Sequence, residues 1–238
     1  MVEANLGDSP WWCALDAAKF EATYLKLPAS IDDATFRAWL DRFEANNGIS
    51  LEDEIDDLDG ACPLQNGVRR LESNEAGLFV YFVCVDECGV SETRGRHQKS
   101  PARTFVDFTT DARLAARGFQ TKLEGAGYDY AWFREVWRLL CKTAGFDFGT
   151  GFDAPVPTWL RKAGASMAGY TGLLDPGEVR TLASLAKSPT GQPFRDALAV
   201  AAQCFDCSQD ADDMNIIVDL APKLAADGRW LLGVQTST

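Results

Sequence analysis

Histidine is almost absent from this sequence of 238 residues, which has only His97. A zinc site of the His-Glu-x-x-His type needs two histidines and is therefore excluded. A Ser-His-Asp or Cys-His mechanism would have to use His97, which lies between Arg96 and Lys99 in a polar stretch. We interpret His97 as an exposed loop residue, and this leaves the sequence with very few candidate catalytic groups.

Long apolar runs are also lacking. The longest spans eight residues, 78–85, whereas a membrane-spanning helix needs about 20. Residues 1–10 carry two acids and no basic side chain, which is not the pattern of a secretory signal. Cysteines number seven, which is odd and sparse for a disulfide scaffold. We therefore expect a soluble, cytoplasmic protein that binds no membrane and keeps most of its thiols reduced and buried.

The known phosphate and nucleophile motifs are missing or incomplete. There is no Walker A motif, and the glycines of residues 149–154 are followed by two prolines, so no long helix begins there. Ser166 lies in a near match to a nucleophile elbow that lacks its last glycine and follows a helical pattern. A basic cluster is either a solvated loop, a phosphate contact or a contact to the acidic N-terminal region; it comprises Arg94, Arg96, His97, Lys99 and Arg103.

Two cysteine pairs leave two alternatives open. Cys84 and Cys88 are four residues apart, and Cys204 and Cys207 are three apart. Four thiolates at such spacings are able to form a tetrahedral zinc site, and a redox pair is a further possibility. Neither pair has the surroundings of a zinc knuckle, so we interpret these residues as inert thiols and predict no cofactor and no metal.

Negative charge is abundant and unevenly distributed. Acids number 35 and bases 23, and residues 1–60 hold 14 of those acids with only four bases. An acidic field repels nucleic acid and attracts basic proteins. We expect a short helix from Ser50 in which Leu51, Ile55 and Leu58 face inward. The opposite, acidic face is the predicted partner-binding site, which consists of Glu52, Asp53, Glu54, Asp56, Asp57 and Asp59.

Periodicity and helix-capping signals predict a mostly helical chain. A helix is expected from Ser9-Pro10, with Trp11, Leu15 and Leu25 on one stripe. Further helices are expected at 30–46, at about 111–124, at 129–143, from Asp175, at 194–205 and from about 210. Apolar and β-branched runs predict a small sheet from 78–85, 102–108 and 229–235, with 68–71 as a possible further strand.

These elements predict an α+β fold with segregated helices flanking a small sheet. We expect a single domain over 1–238, with a possible acidic helical subdomain at 1–60 and a helical C-terminal part from about 155. The acidic surface and the scarcity of catalytic groups favour a non-enzymatic module that masks a basic protein partner, of the inhibitor or toxin-immunity type. The alternative is an enzyme or structural-zinc protein that uses carboxylates or the cysteine pairs.

Overall fold

The computed structural model describes residues 10–48, 55–90, 118–145, 155–202 and 210–236. The strands are β1 Pro10–Leu15, β2 Ser30–Asp32, β3 Leu64–Gln65, β4 Val68–Arg70, β5 Gly169–Leu174 and β6 Trp230–Thr236. The helices are α1 Ala17–Lys19, which continues into a π-helical turn at Phe20–Tyr24, then α2 Asp33–Asn47, α3 Ile55–Ala61, α4 Asn74–Cys88, α5 Phe119–Gly125, α6 Tyr130–Thr143, α7 Thr158–Ser166, α8 Pro176–Ser184, α9 Phe194–Ala202 and α10 Asp210–Ala226. No helix within these ranges has the length and apolar character needed to cross a bilayer.

The larger sheet joins the two ends of the described chain. Its strands run antiparallel in the order β1-β6-β5, with Cys13 opposite Leu232 and Gly172 opposite Gly233. Side chains alternate between the faces, so Ala14 enters one apolar core while its neighbour Cys13 enters the other. The first core is built with α5, α6, α8, α9 and α10, and the second with α2, α4, α7 and the π-helical turn. Helices therefore cover both faces of this sheet, and the α+β prediction is confirmed.

A second small sheet lies in the N-terminal half, in the order β2-β4-β3. Its hairpin turns at Asn66 and Gly67, whose φ angles of 51° and 82° are both positive. An Asn-Gly pair is the usual solution for such a two-residue turn, because both residues tolerate the left-handed region. The possible strand at 68–71 is confirmed by β4.

The strand predicted at 78–85 is wrong, because these residues lie within α4. Ser73 caps this helix: its hydroxyl accepts a hydrogen bond from the backbone N–H of Ala76 at 2.9 Å. The helix is buried on most of its circumference against the second core. Because such a helix carries apolar residues on nearly every side, its sequence lacks the 3.6-residue periodicity that would distinguish it from a buried strand. Gly77 allows α7 to approach closely, since a Cβ there would lie 2.6 Å from the Trp159 carbonyl oxygen.

The helix predicted from Ser9-Pro10 is also wrong over its first part, where β1 forms instead. The partner of β1 is β6, more than 200 residues away, and this long-range pairing overrides the local helical stripe. Helix begins only at α1, where the Asp16 carboxylate accepts a hydrogen bond from the backbone N–H of Lys19 at 3.1 Å.

The helix predicted at 30–46 is wrong over its first three residues, because Ser30–Asp32 form β2 in antiparallel pairing with β4 and α2 begins only after its N-cap Asp32. The other predicted elements correspond to elements of the structure where it describes them. The strand at 229–235 is β6, and the helices at 30–46, 129–143, from Asp175, at 194–205 and from about 210 correspond to α2, α6, α8, α9 and α10. The helix predicted near 111–124 is described from α5 onward. The strand at 102–108 lies outside the described residues. The proposed division into an acidic subdomain and a helical C-terminal part stays a prediction.

Candidate functional site

A buried arginine organises the region around the predicted acidic face. Arg69 on β4 is 3% exposed, and its Nε donates a hydrogen bond to Asp33 Oδ1 at 2.6 Å. Its Nη1 donates to Asp59 Oδ1 at 2.5 Å and to the Cys62 carbonyl oxygen at 3.1 Å. One side chain therefore joins the start of α2, the helix α3 and the hairpin of the small sheet.

The surroundings of Arg69 keep this junction charged and ordered. The Phe36 ring lies under the guanidinium, 4.8 Å from its carbon to the ring centroid. Hydrogen bonds from Arg37 and then Arg69 hold the pKa of Asp33 below its usual value. Two carboxylates and one aromatic ring thus fix a single guanidinium, and α3 is held against the hairpin by charge-assisted hydrogen bonds.

The predicted partner-binding residues fall into three groups. Asp57 and Asp59 are exposed on α3, and Asp59 also holds Arg69. Asp56 lies on α3, with its side chain outside the described part, and Glu52, Asp53 and Glu54 lie outside the described residues. Sequence reasoning missed Arg69: its two carboxylate partners are 36 and 10 residues away in sequence, so no local pattern marks it.

A shallow cleft opens beside α3, with a volume of about 380 Å³. Its lining residues are Gly60, Ala61, Pro63, Gln65, Arg70, Glu72 and Ser73. Arg70 forms an ion pair with Glu72, and the Ser73 hydroxyl donates to the Ala61 carbonyl oxygen at 3.0 Å. Arg70 and Glu72 of this cleft therefore partner each other, and Ser73 links the start of α4 to the end of α3.

Large apolar side chains are exposed in the stretch from residue 64 to residue 82. Leu64 on β3 is 49% exposed, and Val68 on β4 is 36% exposed. Phe82 on α4 is 40% exposed. These three are the large apolar residues with high exposure in the described part of the chain, and all come from the stretch between 64 and 82, close in sequence to the acidic helix.

The cysteines for which zinc was considered are buried where the structure describes them. Cys84 and Cys88 lie on α4 with exposures of 0% and 2%. Burial, then the hydrogen bond with Cys88, raises the pKa of the Cys84 thiol. Cys204 and Cys207 lie outside the described residues. Among the side chains that are described, no three His, Cys, Asp or Glu residues are grouped to hold a metal ion.

Of the other motifs that the sequence offered, only the one at Ser166 lies in the described part of the chain. Ser166 ends α7 and is followed by β5, which reverses the strand-to-helix order that a nucleophile elbow requires. His97, the basic cluster around it and the glycines at 149–154 lie outside the described residues.

Comparison with known proteins gives no independent guide to function, because no protein-family model, curated protein or solved structure matches this chain.

Proposed function

We propose that this chain is an acidic protein-binding module that masks a basic protein partner, as inhibitors and immunity proteins do. Support comes first from charge, since residues 32–59 hold ten acids and two bases. A surface of one sign raises the encounter rate with an oppositely charged protein and disfavours acidic partners.

The observation that carries the proposal is the anchoring of α3 through Arg69. An acidic helix that is already ordered loses little conformational entropy when a partner binds. The Asp59 carboxylate forms an ion pair with Arg69, whereas Asp57 makes no ion pair within the described part of the chain. The helix therefore presents carboxylate to solvent from a fixed position, which is the arrangement that a partner's Lys or Arg side chains require.

The hairpin beside α3 offers apolar contacts, which the acidic face does not provide. Leu64 and Val68 are 49% and 36% exposed on strands that Arg69 ties to α3. Protein interfaces combine apolar contacts with a polar or charged rim, and rim charges mainly govern association rate. We propose that the hairpin provides the former and the acidic face the latter.

The test is a charge reversal at the acidic face. Asp53→Lys, Asp56→Lys and Asp57→Lys are combined, and the parent chain is used to capture partners from native lysate at low and physiological salt. The matched control combines Glu124→Lys, Asp219→Lys and Asp227→Lys, which gives the same net charge from exposed positions on α5, on α10 and just after α10.

Against a partner identified in this way, we expect the first variant to bind more than about tenfold more weakly than the parent. The control should stay within about threefold, because it changes the overall field but not the contact. Equal weakening of binding by both variants would show that only the net charge of the chain matters. An unchanged affinity of the first variant would show that the acidic face does not contact the partner.

A further inference from the structure

The chain contains two Asn-Gly dipeptides, Asn47-Gly48 and Asn66-Gly67. Their local sequences are closely matched, because each asparagine follows a residue with an amide side chain and each glycine precedes a β-branched residue. All four residues are exposed to solvent. A difference in chemistry between the two asparagines therefore has to come from their places in the fold.

Asn66 and Gly67 form the turn of the hairpin between β3 and β4, and both have positive φ angles. Neither the Asn66 side chain nor the Gly67 N–H makes a hydrogen bond to any residue that the structure describes. A Cβ at Gly67 would meet no atom within 4 Å, so the space around this residue is open. The side-chain amide and the backbone nitrogen that follows it are therefore both unengaged.

Asn47 and Gly48 are held by hydrogen bonds at the end of α2. Asn47 Nδ2 donates to the Phe43 carbonyl oxygen at 2.8 Å, and the Gly48 N–H donates to the Glu44 carbonyl oxygen at 2.8 Å. Gly48 is the left-handed cap of this helix, so its hydrogen bond is part of the helix end. The same two groups that are free in the hairpin turn are thus engaged here, and both bonds have to break before these groups react.

We infer that Asn66 is a site of spontaneous deamidation, in which the exposed hairpin turn reacts with water and no enzyme is required. The Gly67 nitrogen bonds to the Asn66 Cγ while the Cγ–Nδ2 bond breaks, and Nδ2 leaves as ammonia with the proton that the Gly67 nitrogen gives up. Glycine favours this step because it has no Cβ beside the attacking nitrogen. Water then opens the resulting five-membered succinimide at either of its carbonyls, which leaves aspartate or isoaspartate.

The two products have different structural consequences. Aspartate keeps the hairpin, since Asp-Gly is also a favoured pair for a two-residue turn. Isoaspartate adds a methylene to the main chain between residues 66 and 67, which does not fit the register of β3 and β4. It would also displace the Gly67 carbonyl oxygen, which accepts a hydrogen bond from the Asp33 N–H at 3.4 Å. Isoaspartate therefore loosens the hairpin that Arg69 joins to α2 and α3.

The experiment follows both asparagines in the full chain, incubated at neutral pH in the native state and, in parallel, unfolded in concentrated urea. Tryptic cleavage after Arg42 and Arg69 releases residues 43–69, a single peptide that holds both Asn-Gly sites. Fragment-ion mass spectrometry then assigns each exchange of an amide NH2 for OH to its residue and distinguishes isoaspartate from aspartate. The control variant is Asn66→Gly, because Gly-Gly also suits this turn but carries no amide.

We expect Asn66 to deamidate at least about tenfold faster than Asn47 in the native chain, because two hydrogen bonds have to break before Asn47 reacts. A tenfold difference in rate corresponds to about 1.4 kcal/mol of activation free energy. In urea the two rates should converge, since the local sequences are matched. Asn66→Gly should show no exchange at residue 66 and should melt at a temperature close to that of the parent.

Three outcomes would overturn the inference. The first is that Asn47 reacts as fast as Asn66 in the native chain. The second is that neither reacts in the native chain while both react in urea, since the hairpin would then protect Asn66. The third is a ratio of rates that urea leaves unchanged, since local sequence rather than the fold would then set it. The proposed function is tested separately, because none of these measurements involves a partner.

Discussion

Replacing Arg69 by methionine removes the guanidinium that joins α2, α3 and the hairpin while keeping an apolar stem of similar length. Three hydrogen bonds are lost, to Asp33, Asp59 and the Cys62 carbonyl. Bonds from a charged group contribute about 1.5–3 kcal/mol each when well formed. This total is discounted because the Asp33 and Asp59 side chains are 26% and 51% exposed, so water solvates them once the arginine has gone.

Balancing these contributions, we expect the free energy of unfolding to fall by about 3 kcal/mol, near the lower end of the cost of breaking a buried ion pair. Urea denaturation followed by circular dichroism measures it as a midpoint shift of about 1 M or more. The matched control is Arg70→Met, the same substitution one residue along, where the side chain is 43% exposed. It should cost less than about 1 kcal/mol.

The pH dependence gives an independent readout of the same contact. Hydrogen bonds from Arg37 and then Arg69 depress the pKa of Asp33 in the fold, so this carboxyl stabilises the protein above its unfolded pKa. That contribution is lost as pH falls through the folded pKa, below the ordinary value of 3.8. The stability difference between parent and Arg69→Met should therefore shrink on acidification below about pH 5. A difference that stays constant, or a loss below about 1 kcal/mol at neutral pH, would refute the anchoring role of Arg69.

Two further predictions concern the fold. Gly233→Ala should destabilise the protein by about 3 kcal/mol or more, because its Cβ would lie 1.8 Å from the Thr143 carbonyl oxygen. The control Gly125→Ala, whose Cβ would have no atom within 4 Å, should be near neutral, and equal melting temperatures of the two variants would contradict the close approach of β6 to Thr143. Ser73→Ala removes the cap that the Ala76 N–H uses and should cost about 1 kcal/mol in chemical denaturation, whereas no loss would argue against α4 beginning there.

Local signals in the sequence were sufficient for elements whose ends are chemically marked. Asp175, Pro176 and Glu178 predict the start of α8, and the structure has a full capping box there, with Asp175 Oδ1 accepting from the Glu178 N–H at 2.8 Å. Whether residues 78–85 form a helix or a strand was not predictable in this way, because β-branched and aromatic residues fit a buried helix as well as a buried strand.

Long-range partners explain the other errors. Nothing near Trp11 or Leu15 indicates that β6 will pair with β1, so the helical stripe is the stronger local signal. The same holds for the candidate site. The acidic helix is predictable from residues 51–59, and α3 confirms its described part. The buried Arg69 that fixes this helix is not predictable, since its carboxylates come from separate elements.

Steering by the acidic face is measured by the association rate of a captured partner in stopped-flow fluorescence, at about 20 mM and about 150 mM ionic strength. If the acidic face steers a basic protein, the rate constant of the parent chain should fall about tenfold or more between these conditions. The chain with Asp53, Asp56 and Asp57 reversed to Lys should associate slowly at both ionic strengths. A parent rate that does not change with salt, or a reversed chain that associates as fast as the parent, would show that the acidic face does not steer the partner.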